Sequence, residues 1–370
     1  MKKIAILIGN ITCSAGTERA VANLSNILQN SGNYQVIIIS QYSENGKSCY
    51  YPLNADVIIE HLEMQNKGLF DRLKKSALLL CKVEELCKRY QIEILIGTTH
   101  GYNIQLSKLS GNVKKIGCEH INYASAPLYS RILRKLTYPK LDAVVCLTQK
   151  DSEKYRFVGN GKVFVIPNSL SFTIERPAKL ENKRIIAIGR LTKQKGWDYL
   201  VAAAPKIKSF LPDWHIDIFG EGEEKESLLN QMKSNHTDDF ISIREPTADI
   251  QKEMLDSSIM VETSRWEGFS MVLVEAQSCG LPLVGFDCPE GPSEIIKDGE
   301  CGYLLPVGDV ENLADSIIRL AKDSELRKQM GERSFELSKR FSTDKVQKLW
   351  FDLFETLLAS SNISKKKVSY

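Results

Sequence analysis

Short apolar runs bounded by polar turns recur along the whole chain, and stretches of helical periodicity separate most of them. This alternation restricts the fold more than any other feature. Strand, helix and strand in succession close into a parallel, doubly wound α/β sheet, which places ligands at the carboxyl ends of its strands. A first series of strands is expected at Lys3–Ile8, Gln35–Ile39, Val57–Glu60, Ile92–Ile96, Lys114–Cys118, Ala143–Leu147 and Val163–Ile166. A second is expected at Ile185–Ile188, His215–Phe219, Phe240–Ile243, Ile259–Glu262 and Pro282–Gly285, with a turn and small strand within Gly299–Leu305. With 370 residues, each series is long enough to bury its own core. The expected organisation is a first domain over 1–170, a second over 183–340 and a tail over 341–370. The tail carries a helical pattern from Thr343 to Leu358 and a basic end, Lys365–Lys367, expected to be disordered. One further helical pattern covers Val310–Arg340.

Composition excludes several classes. Apolar residues at 43% and charged residues at 26% describe a soluble globular protein. The nine cysteines form no C-x-x-C pair and lie mostly in apolar surroundings, which favours buried reduced thiols over disulfides or zinc. The opening MKKIAILIGNITCS imitates a signal peptide, but its apolar run covers only Ile4–Ile8, as a first core strand would. No run approaches the length of a membrane span, so a cytoplasmic protein is expected. The net charge of +3 hides an asymmetry: residues 1–170 carry 22 Lys and Arg against 13 Asp and Glu, the remainder 27 against 33. A basic first half suits an anionic membrane surface, a phosphate-bearing substrate or nucleic acid. Nucleic acid ranks last, because zinc-finger, RNA-binding and aromatic-basic patterns are absent from the sequence. The basic charge concentrates in Leu69–Tyr90 and Tyr129–Lys140. In the first, Leu69, Leu73, Ala77 and Leu80 fall at helical spacing beside Arg72, Lys74, Lys75 and Lys82; in the second, Ile132, Leu133 and Leu136 alternate with Arg131, Arg134 and Lys135. Either is a peripheral membrane surface or a core-facing helix with a solvated outer face.

Two stretches carry the chemistry. Arg265–Gly280 (RWEGFSMVLVEAQSCG) turns on Gly268, after which Ser270 can start a helix over Met271–Ser278. That geometry leaves backbone N–H groups from Gly268 through Phe269 to Met271 as an anion site. Glu267 sits at its mouth and Glu275 follows about two helical turns on, where a carboxylate on an apolar helix needs a partner. Ile188–Gly196 (IGRLTKQKG) follows a strand with Gly189 and then Arg190, Lys193 and Lys195. Two fixed cations after a strand suit a diphosphate, since Arg grips phosphate oxygens bidentately and Lys adds a point charge. An Asp-x-Asp metal motif is absent, so the cations are expected to do a metal's work, with no cofactor. A glycine-bearing turn, Glu290–Ile296, adds a further anion cradle. Gly9–Thr17 is a glycine loop between strand and helix but lacks the G-x-G-x-x-G dinucleotide fingerprint. His120 and, more weakly, His100 lie at strand ends.

Together these motifs resemble the retaining glycosyltransferases of family 4, and in particular bacterial surface-polysaccharide members, over nearly the whole chain. The resemblance implies the GT-B fold: two Rossmann-like domains, an interdomain cleft and a last helix crossing back to the first domain. The family's Ile-Pro-Asn at the domain join is matched by Ile166, Pro167 and Asn168. Its Gly-Gly-x-Glu turn appears here as Ala15-Gly16-Thr17-Glu18, so Gly16 matches and one glycine is replaced. The resemblance implies that His120 contacts the donor sugar, that Gly16, Gly189, Gly220 and Glu245 line the donor site, and that Glu245 lies where backbone groups meet the base. It further implies that Glu267 holds donor-sugar hydroxyls and Glu275 the ribose. Arg190, Lys195 and the N–H groups near Phe269 and Ser270 would steady the leaving diphosphate. The expected partners are a nucleotide sugar, UDP-linked, a glycan or lipid-linked acceptor, and an anionic membrane surface. A nucleotide-sugar epimerase, a Rossmann oxidoreductase and a non-catalytic binding protein remain as alternatives.

Overall fold

A computed structural model describes residues 1–43, 48–64, 72–123, 126–247, 249–289 and 291–367, without the side chains of 72–73 and 360–367. The chain forms two compact units, 1–169 together with 343–370, and 170–342. In the first, strands β1 (Lys2–Ile8), β2 (Tyr34–Ser40), β3 (Ile58–His61), β4 (Ile94–Gly97), β5 (Lys114–Glu119), β6 (Ala143–Cys146) and β7 (Val163–Val165) pair in the order β3-β2-β1-β4-β5-β6-β7. Every pairing is parallel, with Ile4 opposite both Val36 and Ile94.

The near-continuous apolar runs follow from burial on both faces. Ile4, Ile6 and Ile8 enter one core with Val36, Ile38 and Ile96, whereas Ala5 and Leu7 enter the other with Ile37, Ile39 and Leu95. The long helix Thr343–Lys367 covers the first of these cores with Val346, Trp350, Leu353, Phe354 and Leu357, spaced at three and four residues along one stripe. The chain thus returns to its first unit after completing the second.

The second unit holds β8 (Arg184–Ile188), β9 (His215–Phe219), β10 (Ile241–Arg244), β11 (Ile259–Glu262), β12 (Leu283–Phe286) and β13 (Gly302–Leu305), in the order β10-β9-β8-β11-β12-β13. These strands are also all parallel. Order reverses between β1 and β4 in one sheet and between β8 and β11 in the other. Such switch points open a crevice at the strands' carboxyl ends.

Several expectations shift. The helix Arg72–Tyr90 buries Leu79, Val83, Leu86 and Cys87 and leaves Ala77 and Leu78 exposed. The leucine-rich run satisfies helical spacing in two phases, and packing selects the later one. Leu69 and the Leu73 side chain lie outside the described residues. The Val310–Arg340 pattern is two helices, Val310–Lys322 and Ser324–Ser338, divided at Asp323, whose carboxylate accepts from the Leu326 N–H at 2.9 Å. The last helix takes in Lys365–Lys367, expected to be disordered. None of the nine cysteines is in a disulfide, and six of them are buried. Among the described residues, no helix is long and apolar enough to cross a membrane.

Candidate active site

Lys195 is the centre of a charged cluster at the β8–β11 switch point. Gly196, with φ +66°, carries the chain past β11: a Cβ there would stand 2.2 Å from the Thr263 carbonyl oxygen. Gly189 leaves room for the Lys195 stem, whose Cε would lie 2.8 Å from an added Cβ. The ammonium consequently reaches Glu262 Oε1 at 2.9 Å and Glu267 Oε1 at 2.7 Å, with little of its side chain exposed. Burial opposes its charge, but the two carboxylates outweigh burial and hold its pKa above the usual lysine value. Burial raises the Glu262 carboxyl, and Lys195 opposes that rise.

The helix over Met271–Ser278 forms as its sequence predicts. Ser270 caps it, accepting from the Leu273 N–H at 3.4 Å, and also donates to Glu262 Oε1 at 2.9 Å. Ser264 donates to Glu267 Oε1 at 2.9 Å. The helix tip, whose first-turn N–H groups carry partial positive charge, therefore sits beside the ammonium and two acids. Gly291, entering the short helix Pro292–Ile295, packs on Glu267, 3.1 Å from its Cβ to an added one. Glu290 lies outside the described residues. Arg265 ties the two loops together through Asp198 at 2.6 and 2.8 Å and through the Lys193 carbonyl at 2.8 Å.

The other expected residues divide. Arg190 is exposed and outside the Lys195 cluster; its guanidinium meets Gln194 Oε1 at 3.4 Å, and Gln194 donates to the Trp266 carbonyl at 3.0 Å, next to Glu267. Glu275 is wholly buried and accepts from Ser171 Oγ at 2.7 Å. One of its partners is thus a residue of the segment entering this unit. Gly220 allows β9 to approach β8: an added Cβ would meet the Gly189 carbonyl at 2.0 Å. Glu245 pairs with Lys225 at 2.6 Å on the surface. Phe269 turns its ring into the core against Phe341, centroids 5.7 Å apart. Gly268 is half-buried at the turn. Sequence reasoning missed Glu262, Ser264 and Ser171. A glutamate closing the otherwise apolar IMVE strand was the one available signal. Among the described residues, no group of three or more His, Cys, Asp or Glu is arranged to hold a metal ion.

In the first unit, His120 follows β5 and lines a small cavity with Ile6, Thr98, Cys118, Pro167 and Asn168. Burial pushes its pKa down to about 4, so its imidazole is neutral near pH 7. The folded protein then refuses a proton that the unfolded chain binds. Its contribution to stability is complete above the ordinary value of 6.5 and is lost as pH falls towards about 4. Thermal melts across that window should show a weaker pH slope in His120→Gln than in the wild type; equal slopes would refute the assignment. His100 opens the helix His100–Leu106, and burial followed by the Arg134 charge lowers its pKa. Gly16 opens the helix Gly16–Asn30 with empty space where a Cβ would go, so local packing does not demand glycine. Beside it, at the β1–β4 switch point, an open pocket is lined by Gly9, Glu18, Gln41, Lys75, Thr99 and Tyr102.

Residues 172–337 match the family model for glycosyl transferases group 1. The chain is 32% identical to the amylovoran biosynthesis glycosyltransferase AmsD of Erwinia amylovora, over 95% of this chain and 99% of that protein. It is 30% identical to an uncharacterized glycosyltransferase of Haemophilus influenzae, again over 95% and 99%. Among solved structures, the G117R mutant of S. aureus TarM in complex with UDP, fondaparinux and α-GlcNAc-glycerol superposes with a TM-score of 0.78 at 16% identity, over 96% of this chain and all of that chain. That likeness establishes the GT-B fold. Full-length identity to two glycosyltransferases, with the family match over the unit that holds the Lys195 cluster, places this chain in the group 1 glycosyltransferases.

Proposed function

We propose that the protein moves a hexose or N-acetylhexosamine from a UDP-linked donor to a hydroxyl of a glycan or lipid-linked glycan, with retention of anomeric configuration, in surface-polysaccharide assembly. The carrying observation is the Lys195 ammonium, fixed between Glu262 and Glu267 at the tip of the helix Met271–Ser278. A leaving diphosphate gains charge in the transition state, and a preorganised cation and helix N-terminus stabilise it without reorganising. Because Lys195 already faces two acids, donor binding exchanges one carboxylate for a phosphate oxygen at the ammonium. Arg190, exposed on the same loop, adds a second grip on the diphosphate. These groups take the part of a divalent metal, and the donor is the substrate rather than a cofactor.

Glu267, held by Lys195 and Ser264, is oriented to receive donor-sugar hydroxyls. Glu275 takes the ribose hydroxyls in place of Ser171. Neutral His120 offers a hydrogen bond to the sugar, and the pocket beside Gly16 receives the acceptor. The departing phosphate takes the acceptor's proton on the face it leaves. The full-length relationship to an amylovoran biosynthesis enzyme supports the polysaccharide setting, and the UDP in TarM supports the nucleotide.

Arg190→Ala should lower turnover by about 100-fold or more, the effect of losing one preorganised donor. A nucleotide-sugar screen, followed by product analysis with the best donor, measures it. Wild-type turnover in the variant removes Arg190 from the phosphate site, and an epimerised donor as product overturns transfer altogether.

A further inference from the structure

We propose that the helix Leu128–Thr137 is a docking surface for an anionic lipid membrane. An ordinary surface helix turns its apolar stripe inward and its charges outward. This one does the reverse. Leu128 (66% exposed), Ile132 (52%) and Leu136 (67%) face solvent with Tyr129 and Leu133, at the three- and four-residue spacing of one helical face. Ile121, just before the helix, is exposed as well. Ser130 and Arg134, which should lie outside, are buried.

The inversion has a structural cause. Arg134 reaches Glu119 Oε2 at 3.2 Å and Tyr155 Oη at 3.1 Å, and lies over the Tyr123 ring at 5.1 Å. Glu119 also accepts from Asn103 Nδ2 at 2.8 Å and from the Tyr138 hydroxyl. This network holds the polar side of the helix against the end of β5 and presents the apolar side rigidly. A contiguous exposed apolar face of this kind marks an interaction surface.

Charge selects the occupant. Residues 120–141 contain no Asp or Glu, and Arg131, Lys135 and Lys140 flank the apolar face. Lys135 and Lys140 are exposed. The surrounding unit is strongly basic, so a second copy of this chain would meet its own like charge. An anionic bilayer complements both features: the leucines enter the boundary of the acyl chains and the cations pair with headgroups. At ten residues the helix lies in the interface and is too short to span it. The functional part of this inference rests on the proposed lipid-linked acceptor, since the exposed Ile121 directly follows His120 in the chain.

Flotation with full-length protein tests it, using phosphatidylcholine vesicles with and without phosphatidylglycerol. The wild type should float with the anionic vesicles at low salt and be partly released by high salt. Ile132→Asp with Leu136→Asp should cut vesicle binding by about tenfold or more while leaving donor hydrolysis in solution and the melting profile unchanged. Lys135→Glu should weaken binding through charge alone. Failure of the wild type to float, or equal flotation of the double variant, overturns the proposal. So does a wild-type dimer that the double variant converts to monomer, since that assigns the face to a second copy. Flotation needs neither donor nor acceptor, so its failure would leave the transferase reading intact.

Discussion

Lys195→Ala should lower turnover by about 100-fold or more and destabilise the second unit by about 3–5 kcal/mol, as removing one partner of a buried ion pair does. Both effects come from one atom. The Nζ bridges Glu262 and Glu267, and without it two acids face each other beneath the Ser270 cap. Burial already raises the Glu262 pKa, and the loss of its cation raises it further. A carboxyl raised in the folded state binds more protons there than in the unfolded chain, so the variant's stability must fall as pH rises above the ordinary glutamate range. Urea titrations at pH 5 and pH 8 should therefore show a larger deficit at the higher pH. Adding Glu262→Gln should restore much of the stability but not the turnover, which separates the structural effect from the catalytic one. Undiminished turnover in Lys195→Ala would remove the cluster from the chemistry.

Arg134→Ala should cost about 3–5 kcal/mol, because it leaves Glu119 buried without its counter-ion. Burial already raises the Glu119 pKa against the opposing pull of Arg134, Tyr138 and Asn103. Replacing both charges, with Glu119→Gln and Arg134→Met, should recover most of the loss, since a neutral pair of similar volume avoids the cost of burying charge. Chemical denaturation of the three proteins measures this. A loss below about 1 kcal/mol in Arg134→Ala would place the pair among the weakly contributing ion pairs. The helix it holds would then need another explanation for its orientation.

What could be foreseen from the sequence follows the range of the interactions. The Met271–Ser278 helix and its Ser270 cap were legible because a cap is settled within four residues. Strands such as Lys2–Ile8 were legible because burial on both faces demands an unbroken apolar run. Arg134 was misplaced among surface cations, since only its distant partner Glu119 reveals that the helix is inverted. Glu262 escaped notice for a related reason. Its acidity makes sense only beside Lys195, 67 residues away in the chain. Ser171 and Glu275 lie 104 residues apart, and no local pattern links them. The motifs thus pointed to Lys195 and Glu267, which the fold brings together, whereas Glu262 and Ser264, which hold them, emerged only from tertiary pairing.

The closing helix has a consequence for synthesis. Its apolar stripe, from Val346 to Leu357, completes a core whose strands end at Val165. On the ribosome, those strands emerge long before the helix that shields them. Residues 170–342, contiguous in the chain, can close their own core meanwhile. The order of emergence therefore favours maturation of the second unit ahead of the first, and leaves one apolar face of the nascent amino-terminal sheet uncovered until the helix Thr343–Lys367 emerges.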